Sequence, residues 1–208
     1  MESRKSLKTK LKAIKKALGA QDLNQHFVAL QSAIDAYEEP KKAEVDINNL
    51  ALPKEISSGN DFALFSDGAC RGNPGPGAWA YVIQDSEGKI ISKEKDFSQK
   101  TTNNRMELAG AIEALKYVKS QSIQGNFFLY TDSRYLVDGI EKWIHSWKKR
   151  GWKKADKKEP ENIELWKALD SLNEELSVSF KWVKGHAGHP QNELCDKLAN
   201  EALDEAGY

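Results

Sequence analysis

The stretch "FALFSDGACRGNPGPGAWAYVI" (residues 62–83) constrains the fold more than any other part of the chain. It reads as a strand with an aspartate near its end, followed by a turn rich in glycine and proline and then a second strand. A carboxylate held against an apolar strand is costly to keep ionised unless something pairs with it. The fold must therefore bring a partner to this point. "FALFSD", "AWAYVIQD" and "KIISKEKDF" predict an antiparallel meander, the last two joined by a Ser-Glu-Gly turn. "NNRMELAGAIEALKYVKS" follows as a helix with Leu108, Ile112 and Leu115 on one face. "NFFLYTD" is a short apolar strand suited to a covered, central position. "SRYLVDGIEKWIHSWKK" and "NIELWKALDSLNEEL" read as helices, "VSFKWVKG" as a strand, and "PQNELCDKLANEALDEA" as a last helix with proline in its first turn. This order predicts an α/β fold, a mixed sheet with helices on both faces.

Ahead of it, Leu7, Leu11, Ile14 and Leu18 recur at helical spacing up to Gly19, and Leu23, Phe27, Leu30 and Ile34 repeat the spacing after Asp22, a predicted N-cap. Residues 1–37 are thus expected to form an αα-hairpin, 38–60 a linker, and 61–208 the α/β domain. No apolar run is long enough to span a bilayer and no secretory leader is apparent, so a cytoplasmic setting is expected. Cys70 and Cys195 stand outside any CxxC or Cys/His cluster, which argues against a disulfide framework or a structural zinc. Formal net charge is zero, but "MESRKSLKTKLKAIKKAL" and "WKKRGWKKADKK" are strongly basic. Either patch alone is equally a solvated face; the two together suggest a polyanionic partner.

Four carboxylates stand out. Asp67 shares the Ala63–Phe65 face of its strand by alternation. Glu107 has Ala111, Ala114 and Val118 along its helix face, small enough for close approach to a sheet. Asp132 ends the "FFLYTD" strand where a helix begins, and Asp196 lies beside Cys195 with Ala199 one turn on. Singly, each has an ordinary reading: turn chemistry at Asp67-Gly68, an N-cap at Asp132-Ser133, exposed helix faces for the other two. Together they suggest a site, because α/β sheets gather functional groups at the carboxyl ends of strands. Four carboxylates without a cysteine or histidine cluster are hard oxygen ligands, suited to magnesium or manganese and not to zinc. Two such ions about 3.5–4 Å apart can activate water on one side of a phosphodiester and stabilise the leaving oxygen on the other. On this reading Asp67 is tolerated because a metal neutralises it.

From about Phe62 to Ala206 the chain resembles ribonuclease H type 1, the bacterial ribonuclease HI family. The segments that carry the resemblance are "SDGACRGNPGPGAWA", "TTNNRMELAGAIEAL", "YTDSRYLVDGI", "WIHSWKKRGWKKADKK" and "WVKGHAGHPQNELCDKLA", in that order. The resemblance implies a ribonuclease H-like fold, a five-stranded mixed sheet in the order 3-2-1-4-5 flanked by helices. It makes Asp67, Glu107, Asp132 and Asp196 the catalytic and metal-binding carboxylates, with two Mg2+ ions during catalysis and Mn2+ able to substitute. It gives His186 in "GHAGHP" a part in proton transfer or product release, and none to His145 or His189. Cys70, Asn73, Asn103 and Asn104 match positions that contact the RNA–DNA duplex, and Thr102 and Arg105 positions that anchor phosphates of the DNA strand. Short amides suit that task because they donate to and accept from the 2′-hydroxyl that distinguishes RNA from DNA. The basic protrusion carries Trp143, Lys148, Lys149, Arg150, Lys153 and Lys154 for gripping the DNA strand. Trp147 and Trp152 are expected to pack that protrusion, and Trp166 and Trp182 to lie in the core. Arg134 stands where relatives often carry a neutral residue, and residues 1–60 do not resemble the aromatic-rich hybrid-binding module of eukaryotic relatives.

The resemblance implies an endonuclease hydrolysing the RNA strand of RNA–DNA hybrids, leaving 5′-phosphate and 3′-hydroxyl ends and clearing RNA primers and R-loops. It would work as a monomer away from membranes, with residues 1–37 contacting a protein or further nucleic acid. The alternative is a hybrid-binding protein without catalysis, which a substituted carboxylate would mark; all four are present. A DNA-cutting integrase or resolvase of the same general fold is disfavoured by the asparagine pair and the basic protrusion.

Overall fold

The computed structural model describes residues 4–18, 24–36, 50–185, 187 and 189–208, and the chain divides into two units, Met1–Val45 and Asp46–Tyr208. The first holds α1 (Arg4–Leu18) and α2 (Asn24–Ala36). Phe27 is buried, Leu7, Leu11 and Ile34 are half-buried, and Lys8 pairs with Asp35 at 2.5 Å, tying helix to helix. Gly19, Asp22 and Leu23, expected to end one helix and begin the next, lie outside the described residues.

The second unit is built on a sheet in the order β3-β2-β1-β4-β5, as the resemblance implied. β1 (Asp61–Cys70), β2 (Gly75–Gln84) and β3 (Ile90–Thr101) form the antiparallel meander. β4 (Asn126–Thr131) and β5 (Ser179–Trp182) add parallel to β1. α3 (Asn103–Ser120) and α6 (Ile163–Leu176) help cover one face, over a core that includes Leu64, Ile83, Leu108, Leu129 and Trp166. α7 (Pro190–Glu205) covers the other, over Phe65, Val82, Tyr130, Cys195 and Leu203. The helix expected over 133–149 is three pieces: α4 (Arg134–Asp138), a π-helical turn (Gly139–Trp143) and α5 (Ile144–Lys149). The widened turn falls where the Trp166 ring lies against Gly139, and such turns take up a local misfit in a helix.

Two expectations are corrected. Residues 50–60 are not a linker. Leu50 is buried, the Ala51 carbonyl accepts from Gln191 at 2.8 Å, and Leu52 and Ile56 pack on the α7-side core. Isolated apolar residues with no periodicity hid this, because the segment is fixed by long-range seats and not by a helix or strand pattern of its own. β1 does not end at Asp67 but runs to Cys70, pairing Gly68, Ala69 and Cys70 with Trp79, Ala78 and Gly77. Among the described residues no helix is long and apolar enough to cross a membrane.

Candidate active site

The sheet register brings the first two carboxylates level. β1 and β4 are paired up to Phe65↔Tyr130, whose rings stack 5.1 Å apart. Asp67 and Asp132 each follow two residues later, so alternation aims both to the face that α7 covers. There α7 carries Asp196, with Cys195 and Ala199 buried. Glu107 arrives from α3 on the opposite side. Its approach depends on Gly68, because a side chain there would collide with the backbone of Met106 and Glu107. The loop after β5 passes Asp132 at Gly185.

The electrostatics are those of acids crowded out of water. Asp67 is buried and accepts a hydrogen bond from the Gly68 N–H at 2.7 Å. Burial first and the Asp132 charge second, with Asp196 and Glu107 adding to them, push its carboxyl up to about 8 against the opposing Gly68 bond. Burial also raises Glu107, with Asp132 adding to it, while two donors offset the rise. The Ser133 hydroxyl donates to Glu107 Oε2, and Asn103 Nδ2 donates to Oε1 at 2.7 Å. Ser133 also caps α4 by accepting from the Leu136 N–H at 3.1 Å. Asp196 Oδ1 accepts from Asn200 at 2.9 Å. Asp67, Glu107 and Asp196 are thus turned toward hydrogen-bond donors, and among the described residues no three acidic, histidine or cysteine side chains stand ready to hold an ion. The donor set still has the chemistry of a hard-cation site: carboxylate oxygens, with the charges of Asp132, Asp196 and Glu107 bearing on buried Asp67. Rotation of the side chains off their present donors would be needed to bind.

Other expected residues divide into a rim and an internally engaged group. At the β1–β2 turn and the start of α3, the Cys70 thiol lies 2.7 Å from the Gly72 carbonyl, and Asn73 Oδ1 accepts from the Asn103 N–H at 3.3 Å. Thr102 occupies the N-cap of α3 without a side-chain capping bond, and Asn103 and Asn104 begin that helix, half-buried. Lys149, Arg150 and Lys153 are exposed and Lys154 is half-buried on the α5 end and the loop that follows. Arg105, by contrast, bonds Asn162 at 3.2 Å and Glu164 at 2.6 Å. The Lys148 ammonium lies 2.7 Å from Asp170 and 2.5 Å from Glu174. Trp143 shares one ring cluster with Tyr135, Trp147 and Trp166, at 5.6, 5.9 and 6.4 Å, so its surroundings are those of a packing residue like Trp147. His186 lies outside the described residues.

Trp182, expected in the core, is 37% exposed. Its Nε1 donates to the Asp132 carbonyl at 3.0 Å, and the Arg134 guanidinium lies 3.5 Å above its ring. Ser133 and Asn200 were not singled out from the sequence as supports of the site. Adjacency to Asp132 and the i+4 step from Asp196 were the signals available. A groove of about 730 Å³ along β5 is lined by Arg134, Trp182 and Lys184 among others, but by none of the four carboxylates. Asp67 is buried, and Glu107, Asp132 and Asp196 are half-buried.

Residues 59–204 match the family model for RNase H. Ribonuclease H of Agrobacterium fabrum (strain C58) is 51% identical over 143 residues, covering 68% of this chain and 93% of the relative. That of Escherichia coli O9:H4 (strain HS) is 48% identical over 153 residues, covering 70% and 94%. Among solved structures, LC9-RNase H1, described as a type 1 RNase H with the type 2 active-site motif, is 34% identical with a TM-score of 0.64 over 72% of this chain and 74% of that one. LC11-RNase H1, solved in complex with an RNA/DNA hybrid, is 25% identical with a TM-score of 0.56 over 71% and 99%.

Proposed function

The chain belongs to the RNase H family, and from that premise we propose that it is a divalent-metal endonuclease that hydrolyses the RNA strand of RNA–DNA hybrids. The observation that carries this reading is Asp67, buried beside the charges of Asp132, Asp196 and Glu107, with its carboxyl pushed up to about 8. Such a cluster destabilises a protein unless a cation joins it. The hybrid bound by LC11-RNase H1 supports the choice of substrate.

In this reading Asp67, Glu107, Asp132 and Asp196 would hold two magnesium ions, manganese substituting. Bound there, the ions would supply an acidified water and a counter-charge for the leaving 3′ oxygen, the chemistry that yields 5′-phosphate and 3′-hydroxyl ends. Ser133 and Asn103 fix the two Glu107 oxygens until the site is loaded. The imidazole of His186 takes or delivers a proton, or eases product release. Cys70, Asn73, Asn103 and Asn104 read the minor-groove edge and 2′-hydroxyls, and Thr102 anchors a DNA phosphate. Lys149, Arg150, Lys153 and Lys154 grip the DNA strand, while Lys148 and Arg105 hold α5 and α3 to α6 through their ion pairs. Primers and R-loops in the cytoplasm are the fitting substrates.

The test is cleavage of a labelled RNA strand in an RNA–DNA duplex with magnesium, beside RNA–RNA and DNA–DNA duplexes and Asp132→Asn. Cutting confined to the hybrid and lost in the variant is expected. Binding without cutting in either metal would overturn the reading in favour of a non-catalytic hybrid binder.

A further inference from the structure

The two units differ in charge in a way the nuclease reading does not absorb. α1 carries Arg4, Lys5, Lys8, Lys10, Lys12, Lys15 and Lys16 among its 15 residues, and no acid. The unit from Asp46 to Tyr208, which must approach a polyanion, has 22 Lys and Arg against 25 Asp and Glu. The family match begins at residue 59, so α1 is an addition to what the RNase H relatives share with this chain. We propose that α1 is a second binding surface for the phosphate backbone of duplex nucleic acid, indifferent to sequence, which raises the effective concentration of substrate at the nuclease unit. The inference rests on the proposed function only in taking that substrate to be a nucleic-acid duplex.

Three observations favour phosphate over the other partners of a basic helix. Lys12 and Lys16 are exposed on α1, where counter-ions can be released to a backbone. Much of the apolar stripe is already in use: Leu7 and Leu11 are half-buried and Phe27 of α2 is buried, which leaves Ile14 exposed on α1 without the continuous free face that insertion into a lipid interface requires. The exposed apolar side chains of α2, Val28 and Leu30, are two positions apart and so diverge around the helix instead of forming one face for a protein partner.

The experiment compares the full chain with Lys12→Gln/Lys16→Gln, glutamine being close to lysine in helix propensity. Helical content by circular dichroism checks that α1 persists. Binding to a fluorescent RNA–DNA hybrid and to a DNA duplex is followed in EDTA from 50 to 200 mM salt. Each phosphate contact contributes about 0.9 to the slope of log K against log salt, so the variant slope should be shallower by about 1.8 on both duplexes. The variant then forfeits roughly tenfold of the affinity gained at low salt, and Lys12→Arg/Lys16→Arg retains it. Unchanged slopes overturn the proposal, as does loss of binding confined to vesicles containing phosphatidylserine. A parallel cleavage assay separates the two readings: failure to cut hybrid refutes the nuclease and leaves the slopes to judge α1.

Discussion

Asp61 and Asp67 lie on the same strand, both are buried, at 4% and 8% exposure, and their surroundings are opposite. Asp61 opens β1 and is fully served. Its Oδ2 accepts from the Ser57 and Ser58 N–H groups at 2.9 and 2.8 Å, and its Oδ1 accepts from Asn126, its partner on β4, at 2.9 Å. Asn126 first and the two serine N–H groups next hold its carboxyl below the ordinary value. Asp67 has one backbone donor and three acidic neighbours, and sits near 8. Burial first and like charges next raise Asp67 against a single donor, whereas three donors outweigh burial at Asp61. The entry end of β1 is wired for folding, and its exit end gathers acids around a single donor, as the proposed cation site requires.

The largest effect that tests this contrast is on cleavage. Asp67→Asn should cut hydrolysis of a hybrid by about a thousandfold or more, since the amide cannot supply the negative charge a metal needs. Asp61→Asn should leave kcat/KM within about threefold while lowering Tm, because its bonds are structural. Full cleavage by the first variant, or loss of cleavage by the second at unchanged Tm, would break the comparison.

Stability against pH should separate the two residues in opposite directions. Asp67 has a raised folded pKa, so in EDTA its contribution is fully present below about 4, its unfolded value, and is lost as pH climbs through about 8. Asp67→Asn should therefore melt several degrees above wild type at pH 8–9, with the gap closing toward pH 4. Asp61 has a depressed folded pKa, so its contribution is present above the unfolded value of 3.8 and is lost as pH falls through the folded one. Asp61→Asn should melt below wild type at pH 7, and the two should converge on acidification. Adding magnesium at pH 8 should raise the wild-type Tm and leave Asp67→Asn where it was. A wild-type Tm that rises with pH in EDTA between 6 and 9, unlike that of Asp67→Asn, would contradict the account.

What the sequence made legible follows the same division between local and distant causes. The strand and helix order, Ser133 as an N-cap and Pro190 opening α7 are written in short-range pattern, and the structure has them. Alternation put Asp67 on the face of Phe65, and the register then sets it level with Asp132. The extension of β1 through Gly68, Ala69 and Cys70 was hidden because glycine and alanine carry no strand signal; pairing with β2 holds them. The role of Asp61 at the start of the domain was hidden, since its donors come from a turn at 57–58 and from Asn126, far along the chain. Trp182 was expected in the core for the same reason. Its bond to the Asp132 carbonyl, like the ion pairs of Lys148 with Asp170 and of Arg105 with Glu164, is fixed by helix packing and sheet order, which no local window contains.

The smallest expected effect sharpens the contrast from within the acidic cluster. Ser133 does for Glu107 what Asn126 does for Asp61: it places one side-chain donor on a carboxyl that burial would otherwise raise further. Ser133→Ala removes that donor and the cap of α4 together, and the cap alone is worth about 1 kcal/mol. In a chain of this size that is a fall in Tm of roughly 2–4 °C. Cleavage should drop by roughly tenfold, the usual cost of losing a group that orients a ligand. Ser133→Thr, which keeps a hydroxyl, should recover most of the rate. Because the cap and the donor are one oxygen, the two losses are separated by pH: the cap deficit is independent of pH in EDTA, whereas an unsupported Glu107, its raised carboxyl raised further, makes the Tm deficit grow from acid pH upward as it is forced to ionise. A deficit flat from acid to alkaline pH would mean Ser133 serves α4 alone, and that Glu107 depends on Asn103 for its place.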